Sequence, residues 1–314
     1  MKNFAIIGVS GYIAPRHMEA IKATNNNLVA ALDPNDSVGI IDSYFPDALF
    51  FKEFERFDRH IYKQQRGGNE LNFISICSPN YLHDSQIRFT LRSGSNAICE
   101  KPLVLNPWNI DGLVDMEKDT GNKVNTILQL RVHPSIIKLR EKIKNSTKDS
   151  KYEVDLTYIT SRGNWYLQSW KGDLKKSGGI ATNIGVHFFD MLYFIFGDVQ
   201  ENIVHFNDEK TAGGYLEYKN AKVRWFLSMD NKNIPTELRE KGQRTYRSIT
   251  LDDKEIEFSD GFTDLHTKSY EQILEGNGFS LEENRAAIEI VSNIRNASHL
   301  GIHGNYHPFL KDYK

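Results

Sequence analysis

Lys2-Asn3-Phe4-Ala5-Ile6-Ile7-Gly8-Val9-Ser10-Gly11-Tyr12-Ile13-Ala14 opens with an apolar run that breaks into a glycine turn. Lys2 to Val9 reads as a short buried strand. Pro15, Arg16 and His17 then lead into a helical pattern through Met18, Ile21 and Lys22. Strand, glycine turn and helix make the entry of a dinucleotide-binding unit. Glycines let the backbone approach a pyrophosphate, and the helix start offers free N–H groups to it. Here Gly8 and Gly11 stand at i and i+3, with Ala14 in the third small position. A lone glycine pattern is weak evidence, so the following stretches have to carry the reading.

They do so in order. Leu28 to Leu32 is a second apolar run, and it ends at Asp33. An acid at the end of the second strand is placed to hydrogen-bond the adenosine ribose and to repel a 2′-phosphate, which favours NAD over NADP. A turn residue before Pro34 is the blander role for Asp33. Phe51 to Arg66 reads as helix, and Gly67-Gly68-Asn69 breaks it. Leu71 to Cys77 is a third strand, running into Ser78-Pro79-Asn80-Tyr81-Leu82-His83, and Asp84 to Leu91 is the next helix. Ser95 to Cys99 is a fourth strand, closing on Glu100-Lys101-Pro102. Trp108 to Lys118 is helical, and Lys123 to Leu128 is a fifth strand. Strands alternating with helices imply a doubly wound parallel sheet, whose ligands lie at the carboxyl ends of the strands. The glycine turn, Asp33, Ser78 to Asn80 and Glu100 to Pro102 all fall at such ends. Pro102 holds Lys101 extended there, as a cation beside a substrate hydroxyl or as a plain surface lysine.

From Gln129 the pattern changes. Arg131, His133 and Pro134 lead into a helix through Ile136, Ile137 and Leu139. Tyr152 to Thr160 alternates as a strand. Arg162-Gly163-Asn164-Trp165-Tyr166, with Trp170-Lys171 beyond, is a polar and aromatic loop. Alternating segments follow at 202–206, 214–218, 222–228, 248–251 and 254–258, which implies a largely antiparallel sheet. Ser280 with Glu283 reads as a capping box that starts a terminal helix towards Ala297. Gly301 to Lys314 carries no usable pattern. The fold class is therefore α/β. An N-terminal Rossmann domain with a doubly wound parallel sheet spans 1–128, and a C-terminal α+β domain with an open, largely antiparallel sheet spans 129–314.

Within the second half, GGIATNIGVHFFD (178–190) is the densest stretch. As a helix it sets Asn183, His187 and Asp190 on one face, and Ile184, Phe188, Met191 and Leu192 on the other as a core stripe. Two glycines and a mid-helix glycine cost helix stability, so something approaches the backbone closely. Alone, the stretch also fits a buried helix with one hydrogen-bonded histidine.

The 314 residues are 39% apolar and 25% charged, with net charge −2, which leaves no electrostatic footprint for nucleic acid or an anionic membrane. Cys77 and Cys99 end apolar runs and read as packing residues, not a disulfide framework. No signal peptide or bilayer-spanning run is evident, so a cytoplasmic protein is expected. No metal-ligating pattern is present.

GxxGYIAPRH, Asp33, CSPNYLH, CEKPL and GGxxxNxGVHFFD, in this order, resemble the Gfo/Idh/MocA family of sugar oxidoreductases along nearly the whole chain. YITSRGNWYLQSWKGD and ATNIGVHFFDMLYFIFG resemble one subgroup, the UDP-N-acetyl-2-amino-2-deoxyglucuronate dehydrogenases of bacterial surface-polysaccharide (O-antigen) synthesis. The resemblance implies NAD, held by Gly8, Gly11, Tyr12, Ile13, Asp33, Ser78, Pro79, Asn80, His83, Glu100 and Lys101. It implies oxidation of the 3′-hydroxyl of a UDP-linked N-acetylglucosaminuronic acid, whose 3-keto product goes to an aminotransferase. The family's lysine maps on Lys101 and its helical histidine on His187. Asn183 stands where the family usually has aspartate, and the family's first two glycines lie one residue closer together. A homo-oligomer, dimer or tetramer, is also implied.

A secondary alcohol must lose its proton as the hydride leaves. An imidazole with a reference pKa near ~6.5 suits that task, which makes His187 the base. Lys101 stabilises charge on the oxygen, and Asn183 orients the hydroxyl. Arg131, Arg162 and Lys171 supply charge for a pyrophosphate and a carboxylate. Asn164, Trp165, Tyr166 and Trp170 supply polar and stacking area for the substrate, and Thr245-Tyr246-Arg247 is a weaker group of the same kind. A dehydrogenase of a free sugar or polyol, or a non-catalytic NAD-binding regulator, are the alternatives.

Overall fold

The computed structural model describes residues 1–256, 264–298 and 300–313, in two compact units. Unit 1 comprises Met1–Val132 with Phe262–Arg285, and unit 2 comprises His133–Gly261 with Ala286–Lys314.

Unit 1 runs β1 (Asn3–Ile7), α1 (Ala14–Ala23), β2 (Asn27–Leu32), β3 (Leu49–Phe51), α2 (Phe54–Arg66), β4 (Phe73–Ile76), α3 (His83–Arg92), β5 (Asn96–Cys99), α4 (Pro107–Thr120) and β6 (Val124–Thr126). All pairings are parallel, in the order β3-β2-β1-β4-β5-β6. That order puts the switch point between β1 and β4, where a doubly wound sheet opens a crevice. The sequence reading expects five strands. β3 is the sixth, three residues long and hidden at the start of the expected helix from Phe51. Both faces of the sheet are buried, which is why the strands read as unbroken apolar runs. Phe4, Ile6 and Met18 pack on one side, and Ala5, Ile7 and Phe57 on the other.

Unit 2 runs α5 (Pro134–Lys144), β7 (Tyr152–Thr160), the short α6 (Trp165–Gln168) and α7 (Leu174–Ser177), and α8 (Val186–Phe196). It continues through β8 (Val199–Asn207), β9 (Thr211–Tyr218), β10 (Ala221–Ser228), α9 (Thr236–Glu240), β11 (Thr245–Leu251) and β12 (Lys254–Glu255). Its sheet is ordered β12-β11-β7-β10-β9-β8, with β10 and β7 parallel and the other neighbours antiparallel. Positions 257 and 258 of the expected last strand lie outside the described residues. The C-terminal stretch that lacks a sequence pattern packs Tyr306, Phe309, Leu310 and Tyr313 against Phe226 and Ile159 of this sheet. Gly213 permits that approach, since a Cβ there would stand 2.7 Å from Leu310.

Two helices complete the chain, α10 (Leu265–Leu274) and α11 (Leu281–Asn296). Sequence reading ends the first domain at 128, but α10 belongs to unit 1, because His266 and Tyr270 bond to groups on α1, β4 and the end of β5. The Glu283 half of the capping box forms: its carboxylate accepts from the Ser280 N–H at 2.8 Å, and the Ser280 hydroxyl donates to the same oxygen at 3.0 Å. Contrary to the sequence expectation, one stretch, Leu174–Phe196, is long and apolar enough to cross a bilayer by length and composition. Its most apolar window is 72% buried inside the protein, which marks it as a core element.

Candidate functional site

In unit 1 the four sequence-marked stretches leave the sheet side by side. Ile7 pairs with Leu32 and with Ile76, and Ile76 pairs with Cys99. The next residues in the four strands are Gly8, Asp33, Cys77 and Glu100. Parallel register thus gathers Gly8–Gly11, Asp33, Ser78–Asn80 and Glu100–Pro102 along one edge.

Gly8 has φ +86°, and a Cβ there would lie 2.6 Å from the Ser78 nitrogen and 2.7 Å from the Cys77 carbonyl carbon. The first glycine is therefore required by its neighbouring strand as well as by its own turn. Gly11 N–H closes onto the Gly8 carbonyl at 3.1 Å, and α1 begins three residues later. Tyr12 stands 91% exposed beside this turn. Asp33 is nearly buried. One carboxylate oxygen accepts the Ser10 N–H at 3.0 Å and the other the Asn35 N–H at 2.9 Å. The turn role is observed, and it leaves room for a ligand, because a carboxylate oxygen accepts more than one hydrogen bond. The glycine cradle, the helix start and this acid fit a dinucleotide.

His83 is buried, and its two ring nitrogens face the carbonyls of Pro102 at 2.8 Å and Ser78 at 2.9 Å. It ties the two loops together. Glu100 is likewise buried. Its Oε1 accepts from His17 Nε2 at 2.9 Å and His266 Nε2 at 2.8 Å, and its Oε2 from the Lys101 N–H at 3.2 Å. Burial opposes its charge, but these histidine hydrogen bonds hold the carboxyl well below the usual range. His17 Nδ1 then accepts from the Tyr270 hydroxyl at 2.7 Å, and Ser75 donates to that hydroxyl at 2.6 Å. Glu100, expected against the cofactor, has its carboxylate committed to this network, because the fold brings α10 over the strand end.

No metal pattern is legible in the sequence, yet His17, Glu100 and His266 converge closely enough to hold an ion. The hydrogen bonds just described already occupy the converging atoms, with Glu100 Oε1 bonded to Nε2 of both histidines. His17, His266 and Tyr270 escape sequence reading because their partners lie 83 to 253 residues away.

Arg131, expected to meet a substrate anion, is buried. It donates to the Glu283 side chain at 3.3 Å and to the Glu283 carbonyl at 2.8 Å, and lies over the Phe279 ring. It secures the start of α11.

In unit 2 the polar face around Asn183 and His187 is built by a wide turn. Gly178 and Gly179 adopt φ +79° and +78°, and Ala181–Gly185 winds as a π-helix before α8. Such π-turns are frequent at functional sites. Gly185 permits close packing, since a Cβ there would stand 2.6 Å from Leu227 and 2.8 Å from Phe189. Ile184, Phe188, Met191 and Leu192 are buried, as the stripe requires. Asn183 and His187 are half-buried, but Asp190 is only 1% exposed. The wide turn shifts Asn183 in angle relative to α8, and Asp190, three residues past His187 within α8, is buried.

Asn183 donates its amide N–H to the Tyr166 hydroxyl. Burial raises the Tyr166 phenol to about 12 despite that bond. The His187 ring lies 4.4 Å from Phe188 and 6.2 Å from Tyr158. Trp165 is 58% exposed, and the Lys171 ammonium sits 5.3 Å from both the Trp165 and the Trp170 rings. Arg162 and Asn164 are exposed on the same loop. Lys101 thus belongs to unit 1, and Asn183 and His187 to unit 2.

Residues 2–127 match a family described as "Oxidoreductase family, NAD-binding Rossmann fold", and residues 150–236 match "Oxidoreductase family, C-terminal alpha/beta domain". A crystal structure of the WlbA (WbpB) dehydrogenase from Thermus thermophilus, in complex with NAD and alpha-ketoglutarate, is 49% identical at TM-score 0.95. The match covers 99% of this chain and 100% of that one. A second structure of that protein, in complex with NAD and UDP-GlcNAcA, is 48% identical with the same coverage and TM-score. An inositol 2-dehydrogenase of Rhizobium meliloti (strain 1021) is 28% identical over 129 residues, 41% of this chain. The chain spans 38% of that curated relative's length and 52% of the next one's.

Proposed function

We propose, from the premise that this chain belongs to the Gfo/Idh/MocA oxidoreductase family, that it oxidises the 3′-hydroxyl of UDP-N-acetylglucosaminuronic acid with NAD. The observation that carries the reading is the full-length similarity, at 48% identity, to a dehydrogenase crystallised with NAD and UDP-GlcNAcA. The row of strand-end residues and the aromatic, cationic loop of unit 2 support it.

NAD, when bound, takes the hydride from C3 of the sugar. The protein's part is to bind, orient and move one proton. Gly8, Gly11 and the start of α1 receive the pyrophosphate, and Asp33 receives the adenosine ribose. His187 takes the hydroxyl proton, Lys101 stabilises the charge that builds on the oxygen, and Asn183 orients it. The Asn183–Tyr166 hydrogen bond fixes that amide. Trp165 and Trp170 offer faces for uracil, and Arg162 and Lys171 offer charge for the phosphates. Arg131 has no part in substrate binding in this assignment.

The product is a 3-keto sugar nucleotide, the class of compound that an aminotransferase consumes. A 2-oxo acid is the proposed acceptor that returns the cofactor to NAD, following the alpha-ketoglutarate complex of the Thermus protein. The active form is proposed to be a cytoplasmic dimer or tetramer. Purified protein mixed with NAD and UDP-GlcNAcA should yield NADH absorbance, and adding alpha-ketoglutarate should remove it. Turnover of free inositol or glucose in place of the nucleotide sugar would overturn the substrate assignment.

A further inference from the structure

Arg247 lies directly opposite Tyr158 in the antiparallel β11–β7 ladder, so their side chains share one sheet face. α8 contributes to the same cluster: the Arg247 guanidinium carbon is 5.4 Å from the Tyr158 ring centre and 5.9 Å from that of Phe188. The His187 ring contacts those same two rings, at 6.2 and 4.4 Å. A cation and an imidazole therefore share the same two aromatic neighbours. The start of β11 is tied to the aromatic loop, since the Ser161 N–H donates to the Arg244 carbonyl at 2.8 Å. Arg247 is half-buried, where a guanidinium interacts more strongly with an anion than in open water.

We propose that Arg247 is the residue that selects an acidic sugar, by pairing with the carboxylate of the substrate. The N–H groups of a guanidinium lie in its plane as a fork that matches a carboxylate, and its charge is favoured beside aromatic rings. In a uronic acid the carbon that bears the 3-hydroxyl and the carbon that bears the carboxylate, C3 and C5, are separated by C4 alone on the pyranose ring. Two groups carried so close together suit a base and a cation that pack on the same pair of rings. Arg131, the cation the sequence offers more prominently, is committed to Glu283. The inference rests on the proposed nucleotide-sugar substrate.

The test compares kcat/KM for UDP-GlcNAcA and UDP-GlcNAc in wild type, Arg247→Met and Arg247→Lys. The Met variant should lose about 100-fold on the acid, mostly in KM, with little change on the neutral sugar. The Lys variant should recover part of that loss. If wild type prefers the acid and Arg247→Met keeps the preference, or loses both sugars equally, Arg247 is not the selector. If wild type neither binds nor oxidises UDP-GlcNAcA, the proposed function falls and this inference with it. An Arg247→Lys protein with a wild-type melting temperature but no selectivity for the acid would also count against it.

Discussion

The Asp33 carboxylate accepts the Ser10 N–H at 3.0 Å, so the acid proposed to receive the ribose also braces the glycine turn. Its second oxygen, bonded to the Asn35 N–H, holds the chain leaving β2. Asp33→Ala should weaken NAD binding by about 10-fold or more and narrow the gap between NAD and NADP. Asp33→Asn keeps an acceptor for Ser10 while removing the charge, so it should gain NADP affinity with less loss of stability. Titration calorimetry with both cofactors measures this. Tighter NADP binding by the wild type would remove Asp33 from its assigned role.

Lys101 and His187 are assigned different tasks. His187→Ala should lower kcat by about 10²–10⁴-fold. Lys101→Met, neutral and of similar length, should cost about 10²–10³-fold through lost electrostatic stabilisation. NAD affinity should stay within a few-fold in both variants. Near-normal turnover in His187→Ala with almost none in Lys101→Met would make Lys101 the base.

Stability should fall as the pH drops below the ordinary histidine range. His307 is buried, and burial with the nearby Arg224 charge pushes its pKa down to about 3. Its Nδ1 accepts the Phe309 N–H at 3.2 Å, so Nε2 carries the proton and donates to Thr157 Oγ1 at 2.9 Å. A second ring proton would break that cap. The unfolded chain takes up the proton near pH 6.5 and the folded chain does not, so stability is lost between pH 6.5 and about 3. The loss from pH 7 to pH 5 should be about 2 kcal/mol for this group. Burial lowers His17 and His83 as well, which adds in the same direction. Glu100, held low by its histidines, contributes stability that disappears only at still more acidic pH. Urea melts at both pH values should show a shallower dependence in His307→Gln, and an unchanged slope would assign the effect elsewhere.

The nucleotide-binding edge is legible in the sequence because its signals are local. A glycine at positive φ, an acid at a strand end and a proline after Lys101 each mark their own position. β3 is not legible, since Leu49–Phe51 is too short to show a period. The face of the 178–190 stretch is legible in its residue types but not in its geometry. An α-helical period puts Asn183, His187 and Asp190 on one face, whereas the π-turn at 181–185 shifts Asn183 relative to α8, and Asp190 within α8 is buried. The Glu100 network and Arg131's attachment to Glu283 depend on pairs far apart in sequence, which no window along the chain can hold. In the sequence Arg247 stands only in the weaker candidate group Thr245-Tyr246-Arg247, until the ladder sets it against Tyr158.

The most direct measurement uses UDP-GlcNAcA carrying deuterium at C3 of the sugar. The account predicts that turnover with NAD places the deuterium on the reduced nicotinamide and leaves an unlabelled 3-keto sugar nucleotide. NADH formed without deuterium, with the label retained in the sugar, would contradict oxidation at the 3′-hydroxyl.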